Sequence, residues 1–396
     1  MQAFEFYSPT KILFGASTEA QAGQQITAYG GSRVVVVYGG ASAVKSGLLE
    51  RVLRSLDEAG LAYECVGGVQ PNPKLSLAYE GVKRALSFGA DFVLAIGGGS
   101  VIDTAKAIAD GAATPEFDLW DDFWLKKHPL PGSLPVGVVL TIPAAGSESS
   151  DSAVLTNDET LEKRGLSSPF HRPRFAIMNP ELTFTLPRYQ VTCGIVDIMM
   201  HTMDRYFNPV TTNELTDEIA EGLLRNTIRN GRRVMEHPGD YQAISELMWA
   251  GSLSHNGLTG LGNKPDFAPH QLGHELSAMF DVAHGASLSA IWDSWAKYCV
   301  HTNPARFAQF AENVWGLDPS GKEPVTLAME GIEAVRQFFR SLQMPICLSQ
   351  LDCGVQSEST LEDLAYRCTF RNTRTIGSFQ VLNYDDILAI YRLANY

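Results

Sequence analysis

Nine histidines occur in 396 residues, and three of them, His270, His274 and His284, fall within fifteen positions. His270-Gln-Leu-Gly-His274 sets two imidazoles four residues apart, the spacing of one helix face. Upstream, Asp197-Ile-Met-Met-His201 repeats that spacing with a carboxylate and an imidazole. Its neighbours Ile195, Val196, Ile198, Met199 and Met200 are apolar, so both polar groups belong to a buried helix. An unpaired buried carboxylate is costly, which favours a partner or a cation. The plain alternative is an Asp–His hydrogen bond along a helix face. Pooled, the two segments offer one carboxylate and four imidazoles, and a divalent ion takes three or four such ligands. One histidine is left over, and spacing does not decide between His270 and His274. His128, His171, His237, His255 and His301 show no such grouping and read as ordinary surface or core histidines.

A second constellation is Gly97-Gly98-Gly99-Ser100, where an apolar strand (Asp91 to Ile96) runs into the helical stretch VIDTAKAIADGAA. Glycines there let backbone N–H groups approach a diphosphate, and a helix N-terminus adds positive potential. The pattern is neither GxGxxG nor a Walker loop, and tight-turn packing explains a bare GGGS equally well. Asp103 and Lys106, further along that helix, read by themselves as a solvated i,i+3 pair.

Elements that position these residues follow from periodicity. Arg33 to Tyr38, Leu61 to Val66, Asp91 to Ile96 and Val136 to Ile142 are apolar strands. They alternate with helical stretches over 45–59 and 75–88, and Pro71-Asn72-Pro73 breaks the chain. That alternation predicts a parallel sheet covered on both faces. Beyond Pro187 strand-like runs almost vanish, and helices are predicted over 213–236, 241–254, 304–315, 325–342 and 359–368. The expected organisation is an α/β domain over residues 1–186 and an all-helical domain over 187–396. A ligand is expected in a cleft between them.

Composition agrees and excludes other classes. Hydrophobic residues make up 45% and charged residues 19%, enough apolar material for large cores and no sign of disorder. Thirty-one basic against 44 acidic side chains leave a charge of −13, which argues against a nucleic-acid or anionic-membrane surface. The six cysteines form no CxxC and are too sparse for a disulfide framework, so reduced thiols are expected. The first fifteen residues lack the basic start and apolar run of a signal peptide, and no segment reaches the roughly 20 apolar residues a membrane span needs. A soluble, cytoplasmic protein is expected.

On these residues the chain resembles the iron-containing (group III) alcohol dehydrogenases, and within them the NADP-dependent butanol dehydrogenase-like aldehyde reductases. The resemblance runs the whole length, through Tyr7-Ser-Pro-Thr-Lys-Ile-Leu-Phe-Gly15, Pro71-Asn-Pro73, Gly97-Gly-Gly-Ser-Val-Ile-Asp-Thr-Ala-Lys106, Pro143-Ala-Ala-Gly-Ser-Glu148 and the two metal-type spacings. It implies a dehydroquinate synthase-like architecture. It implies that Asp197, His201, His270 and His284 hold a divalent metal, Fe(II) or Zn(II), with His274 unliganded near the substrate and available for proton transfer. It implies that Gly98, Gly99 and Ser100 wrap the cofactor diphosphate, with Asn72, Asp103, Thr141 and Lys163 also lining the dinucleotide site, and it suggests a homodimer. Two departures, Ala145 where relatives often carry Thr and Ser150 where they often carry Asn, fall near the expected nicotinamide end and bear on substrate range.

The implied activity is reduction of short- to medium-chain aldehydes and oxidation of the matching primary alcohols, butanol and butanal among them. A dication with one carboxylate and three neutral imidazoles keeps a net charge of +1, enough to polarise an aldehyde oxygen. NADP(H) is expected over NAD(H), because the strand ending Gly39-Gly40-Ala41-Ser42 carries no acidic residue to accept from a ribose 2′-hydroxyl. Backbone N–H groups there and the Ser42 hydroxyl are donors suited to a 2′-phosphate. Two other readings compete. A metallohydrolase would use the same ligands but has no need of GGGS. An enzyme like dehydroquinate synthase or glycerol dehydrogenase shares the architecture, and the former needs cationic side chains for a phosphorylated, carboxylated substrate, a set not evident from Lys264 to His284.

Overall fold

The computed structural model describes residues 2–210 and 212–396. It divides into two compact units, one of residues 7–186 and one combining residues 2–6 with 187–396.

The first unit is built on eight strands: β1 (Lys11–Phe14), β2 (Arg33–Gly39), β3 (Ala62–Val69), β4 (Phe92–Gly97), β5 (Val136–Leu140), β6 (Ser152–Asn157), β7 (Glu162–Ser167) and β8 (Phe175–Met178). Six form one sheet in the order β1-β8-β5-β4-β2-β3, every pairing parallel. β4 and β5 are buried along their whole length, as their unbroken apolar sequences require. Val34, Val36, Leu94, Ile96, Val139 and Ile177 pack one core with Val52 and Leu56 of the flanking Leu48–Glu58 helix. Each such side chain contributes roughly 1.5–3 kcal/mol when fully buried.

The chain leaves β2 for β3 on one side and β4 for β5 on the other, so the sheet order reverses between β2 and β4. That is the switch point at which open parallel sheets bind ligands, at the carboxyl ends of the strands. β1 and β8 are too short to stand out by composition, and β6–β7 is an antiparallel hairpin that periodicity did not reveal. The helix expected over 45–59 is two, Ala41–Lys45 and Leu48–Glu58, separated at Gly47, whose φ of +70° is left-handed.

The second unit is helical. Its centre is the Arg188–Tyr206 helix, buried without interruption from Gly194 to Tyr206. Its buried stretch is mostly apolar, and the buried Asp197, His201, Asp204 and Arg205 on it need polar partners inside the unit. Around it pack the Glu214–Glu236, Tyr241–His255, Ala268–Phe280 and His284–Cys299 helices. The Pro304–Trp315, Pro324–Ser341, Glu358–Cys368 and Tyr384–Ala394 helices complete the unit. Some helix ends carry side-chain caps: Asp240 accepts from Ala243 N–H, and Asn383 forms a capping box with Asp386. Among the described residues no helix is long and apolar enough to cross a membrane.

Candidate functional site

Within the helical unit the sequence spacings do bring their side chains together. Asp197 and His201 project from one face of the central helix, with His201 Nε2 3.4 Å from Asp197 Oδ1. The same oxygen lies 3.8 Å from His270 Nε2 and 3.8 Å from His284 Nε2. One carboxylate oxygen therefore faces three imidazole nitrogens from three helices. Asp197 Oδ1 and His270 Nε2 are both buried and neither takes a hydrogen bond. Buried polar atoms without partners are rare and costly, and a cation among them satisfies all at once. Asp197, His201 and His270 offer ligand atoms within 4.8 Å of one another, a set that fits a divalent ion.

His270 and His201 sit in opposite electrostatic settings. Burial disfavours the His270 imidazolium, yet the Asp204 carboxylate and then Asp197 outweigh it and hold its pKa up at about 9. Burial, reinforced by the rings of His255 and His270, holds His201 well below its ordinary value. Asp204, seven residues beyond Asp197 on the central helix and 1% exposed, has Oδ2 2.5 Å from His270 Nδ1. Its backbone carbonyl accepts from Asp266 N–H, and the Asp266 carboxylate accepts from the N–H groups of Ala268, Ser378 and Phe379. Burial and the neighbouring Asp204 push the Asp266 carboxyl up to about 6. These bonds tie the start of the Ala268–Phe280 helix to the central helix.

His255, read from sequence as ordinary, is not: its Nδ1 lies 2.7 Å from His201 Nδ1. It ends a helix 54 residues away, so no spacing rule could have paired the two. Arg205 reaches both, donating to the His201 carbonyl at 2.7 Å and to His255 Nδ1 at 3.2 Å. His274 lies one turn from His270, is 9% exposed, and has its ring 5.3 Å from that of His284. Like His284, it is not among the three residues whose ligand atoms all lie within 4.8 Å of one another. The His284 helix approaches the central helix at Gly285, where a Cβ would fall 2.3 Å from the Cys193 carbonyl oxygen. Glycine is required there.

The α/β unit brings Gly39, Gly97, Asn72, Thr141 and Lys163 to the carboxyl ends of its parallel strands. Tyr38 pairs with Ile96 and Gly97 with Leu140, so Gly39, Gly97 and Thr141 leave neighbouring strands at the same carboxyl end. Gly39 also pairs with Val69, which brings the Pro71-Asn72-Pro73 turn to that edge, and Lys163 Nζ of β7 donates to Asn72 Oδ1 at 2.9 Å. Val101 and Ile102 donate to the Gly98 carbonyl, so the N–H groups of Gly99 and Ser100 open the helix without an intrahelical acceptor. That suits a phosphate. The glycines also serve packing: a Cβ on Gly97 would meet Val101 at 2.4 Å and one on Gly98 would meet Ile142 at 2.2 Å. Gly40 has open space around it, and Ser42 is exposed.

Asp103 and Lys106 are not a solvated pair. Both are buried, Lys106 completely, because their helix faces the 147–154 segment and not solvent. Lys106 donates to the carbonyls of Ser147, Ser150 and Ser152 at 2.8, 3.2 and 2.7 Å. Asp103 Oδ2 accepts from Val154 N–H, leaving its other oxygen buried without a hydrogen bond. Burial pushes the Asp103 carboxyl up to about 6 against the pull of Lys106, and burial draws Lys106 down to about 8 against the pull of Asp103. Ser150 is buried with its hydroxyl 3.3 Å from Lys106 Nζ, so the Asn-to-Ser departure belongs to this internal network.

Comparison with known proteins points to one family. Residues 9–180 match the family profile "Iron-containing alcohol dehydrogenase" and residues 191–395 its C-terminal counterpart, "Fe-containing alcohol dehydrogenase family, C-terminal". The NADH-dependent butanol dehydrogenase A of Clostridium acetobutylicum is 38% identical over 395 residues, 99% of each chain. The NADPH-dependent aldehyde reductase YqhD of Escherichia coli is 36% identical over 361 residues, 91% of each chain. The crystal structure of an NADH-dependent butanol dehydrogenase A from Thermotoga maritima superposes with a TM-score of 0.95 at 36% identity, covering 100% of this chain and 99% of that one.

Proposed function

The chain belongs to the iron-containing alcohol dehydrogenase family, and on that premise we propose that it is a metal-dependent alcohol dehydrogenase and aldehyde reductase preferring NADP(H) and acting on short- to medium-chain substrates such as butanol and butanal. The observation that carries this reading is the approach of three imidazole nitrogens to Asp197 Oδ1. Asp197, His201, His270 and His284 would hold the ion, Fe(II) or Zn(II) by the chemistry of the donors. When bound, the ion polarises the carbonyl oxygen and the nicotinamide supplies the hydride.

The protein's own residues do the rest. Gly98, Gly99 and Ser100 would bind the diphosphate at the helix start, and Asn72, Thr141 and Lys163 at the same sheet edge would line the dinucleotide site, as would Asp103 if its buried carboxylate is reached from that side. His274, beside the ligands but not among them, would pass a proton between solvent and the substrate oxygen. Relatives divide between NADH and NADPH in name. The preference therefore rests on this chain's Gly39, Gly40 and Ser42, which place no carboxylate beside the ribose and leave room for a 2′-phosphate. The same resemblance supports a cytoplasmic homodimer, to be checked by light scattering on the purified protein.

The test is spectrophotometric consumption of NADPH and of NADH with butanal, before and after chelation. Turnover is expected to vanish on chelation and return with Fe(II) or Zn(II), at a higher kcat/KM with NADPH. Full turnover by protein shown to be metal-free refutes the metal reading. A higher kcat/KM with NADH refutes the cofactor preference alone.

A further inference from the structure

A histidine can ligate a cation through Nε2 only if the ring proton sits on Nδ1, so whatever faces Nδ1 decides whether the ligand is ready. Behind His270 the neighbour is Asp204. A carboxylate only accepts, so His270 Nδ1 carries the proton and donates it to Asp204 Oδ2 at 2.5 Å, leaving Nε2 to turn towards Asp197. Behind His201 the neighbour is a second imidazole, and the direction of the 2.7 Å contact between the two Nδ1 atoms is ambiguous when taken alone. Arg205 resolves it. Its guanidinium can only donate, and it points an N–H at His255 Nδ1 from 3.2 Å. His255 Nδ1 is therefore an acceptor, the shared proton belongs to His201 Nδ1, and the His201 lone pair falls on Nε2, 3.4 Å from Asp197 Oδ1.

We infer that Asp204, and His255 backed by Arg205, are positioning residues that lock His270 and His201 in the tautomers a cation at Asp197 requires. The inference rests on the metal reading proposed above. It has an electrostatic consequence as well. Asp204 adds a second buried carboxylate one hydrogen bond from the site, and Arg205 adds a guanidinium on its other side. Neither residue stands in a spacing motif with the histidine it serves. His201 and His255 are 54 positions apart, and Asp204 and His270 are 66.

The test uses full-length protein stripped of metal, with Zn(II) affinity measured by competition against a chromophoric chelator, the visible spectrum recorded after Co(II) loading, and thermal unfolding of the stripped protein. Four variants are compared: Asp204→Asn, Asp204→Leu, His255→Gln and His255→Leu. Removing such a partner typically weakens metal binding on the order of 10- to 100-fold, and that loss is expected for both Leu variants. His255→Gln is expected to recover most of it, because its amide oxygen accepts from both His201 and Arg205. Asp204→Asn, which accepts without charge, is expected to fall between wild type and Asp204→Leu and to shift the Co(II) bands. The stripped Asn and Gln variants are expected to unfold within a few degrees of wild type. Zn(II) affinity unchanged within threefold in both Leu variants overturns the inference. So does a loss that Gln does not rescue and that tracks the melting temperature of the stripped protein. Failure of the wild type to take up Zn(II) or Co(II) would instead overturn the metal reading on which the inference stands.

Discussion

Gly285 offers the sharpest test of how the fold sets the spacing of the proposed metal ligands. A Cβ at this position would lie 2.3, 2.7 and 2.8 Å from the carbonyl oxygen, Cα and carbonyl carbon of Cys193. All three are backbone atoms of the central helix, so no side chain can rotate aside. Ordinary contact begins at 3.4 Å, and relieving the clash moves one helix against the other by about 1.1 Å, far beyond the ±0.2 Å within which ligand distances must fall. Residue 285 follows His284 directly, and Cys193 precedes Asp197 by one turn, so the displacement falls on this ligand pair. Gly285→Ala is therefore expected to cost about 1–3 kcal/mol in stability, as overpacking does. A misplacement of this size is expected to lower kcat on the order of 10²-fold, with reduced metal content. Gly222 is the control: it lies inside the Glu214–Glu236 helix with only the tip of Arg225 within 4 Å. Gly222→Ala should leave kcat and metal unchanged and raise stability by about 0.5–1 kcal/mol through helix propensity. Urea unfolding, elemental analysis and butanal reduction on both variants decide the matter. Wild-type metal content and kcat in Gly285→Ala would refute the claim that this contact fixes the ligand spacing.

Other outcomes follow from the same geometry. Gly39→Asp is sterically allowed, since a Cβ there meets only Val69 O at 3.6 Å and Val101 Cγ2 at 3.7 Å, and it should lower kcat/KM for NADPH sharply while sparing NADH; equal losses with both cofactors would remove these residues from 2′-phosphate recognition. His274→Ala should keep its metal while kcat falls on the order of 10²-fold, whereas His270→Ala should lose metal and activity together; the reverse pattern of metal content would swap the two assignments. Lys106→Met, which strips the buried Ser147 and Ser150 carbonyls and the half-buried Ser152 carbonyl of their donor, should cost about 3–5 kcal/mol in chemical denaturation, and a loss under about 1 kcal/mol would contradict the reading of Lys106 as an anchor. The Asp103 carboxyl is held at about 6 in the folded state against 3.8 when unfolded, so the folded protein binds more protons between these values and stability attributable to Asp103 falls as pH rises through that window, then levels off. Wild-type and Asp103→Asn stabilities plotted from pH 4 to 6.5, below the Lys106 titration, should diverge up to about pH 6; parallel curves throughout would refute the shift.

How much of this was legible in the sequence depends on the range of the signal. Val34 to Val37 and Phe92 to Ile96 announce buried parallel strands because both faces of each strand are apolar, and the register then follows from the sheet. The 75–88 helix was read to the residue, because Leu75, Ala78 and Ala85 mark its buried face and Gly89 stops it with a φ of +68°. Strands β1 and β8 have four residues each, too few for a period to register, and they exist because they pair with each other and with β5. Gly47 was the one visible break in the 45–59 stretch, and a lone glycine in a helical pattern does not by itself say that its φ will be positive.

The site shows the same boundary between local and non-local information. Helical spacing shows which side chains share a face, so Asp197 with His201 and His270 with His274 could be paired from the chain alone. It cannot tell which of His270 and His274 turns inward. The structure does so through Asp204, which draws the Nδ1 of His270 and leaves its Nε2 towards Asp197. The residues that sequence reading passed over share one property: each acts across tens of positions and looks ordinary where it stands. His255 was one more histidine, Asp204 one more acid in a helix, Gly285 one more small residue and Lys106 one more surface lysine. Their roles arise from contacts with Nδ1 atoms and backbone carbonyls contributed by other elements. A ligand must carry distinctive chemistry and so leaves a motif, whereas a group that orients a ligand needs only one acceptor or one missing Cβ in the right place. Variation at such positions is therefore where relatives sharing the whole ligand set are expected to differ in metal affinity.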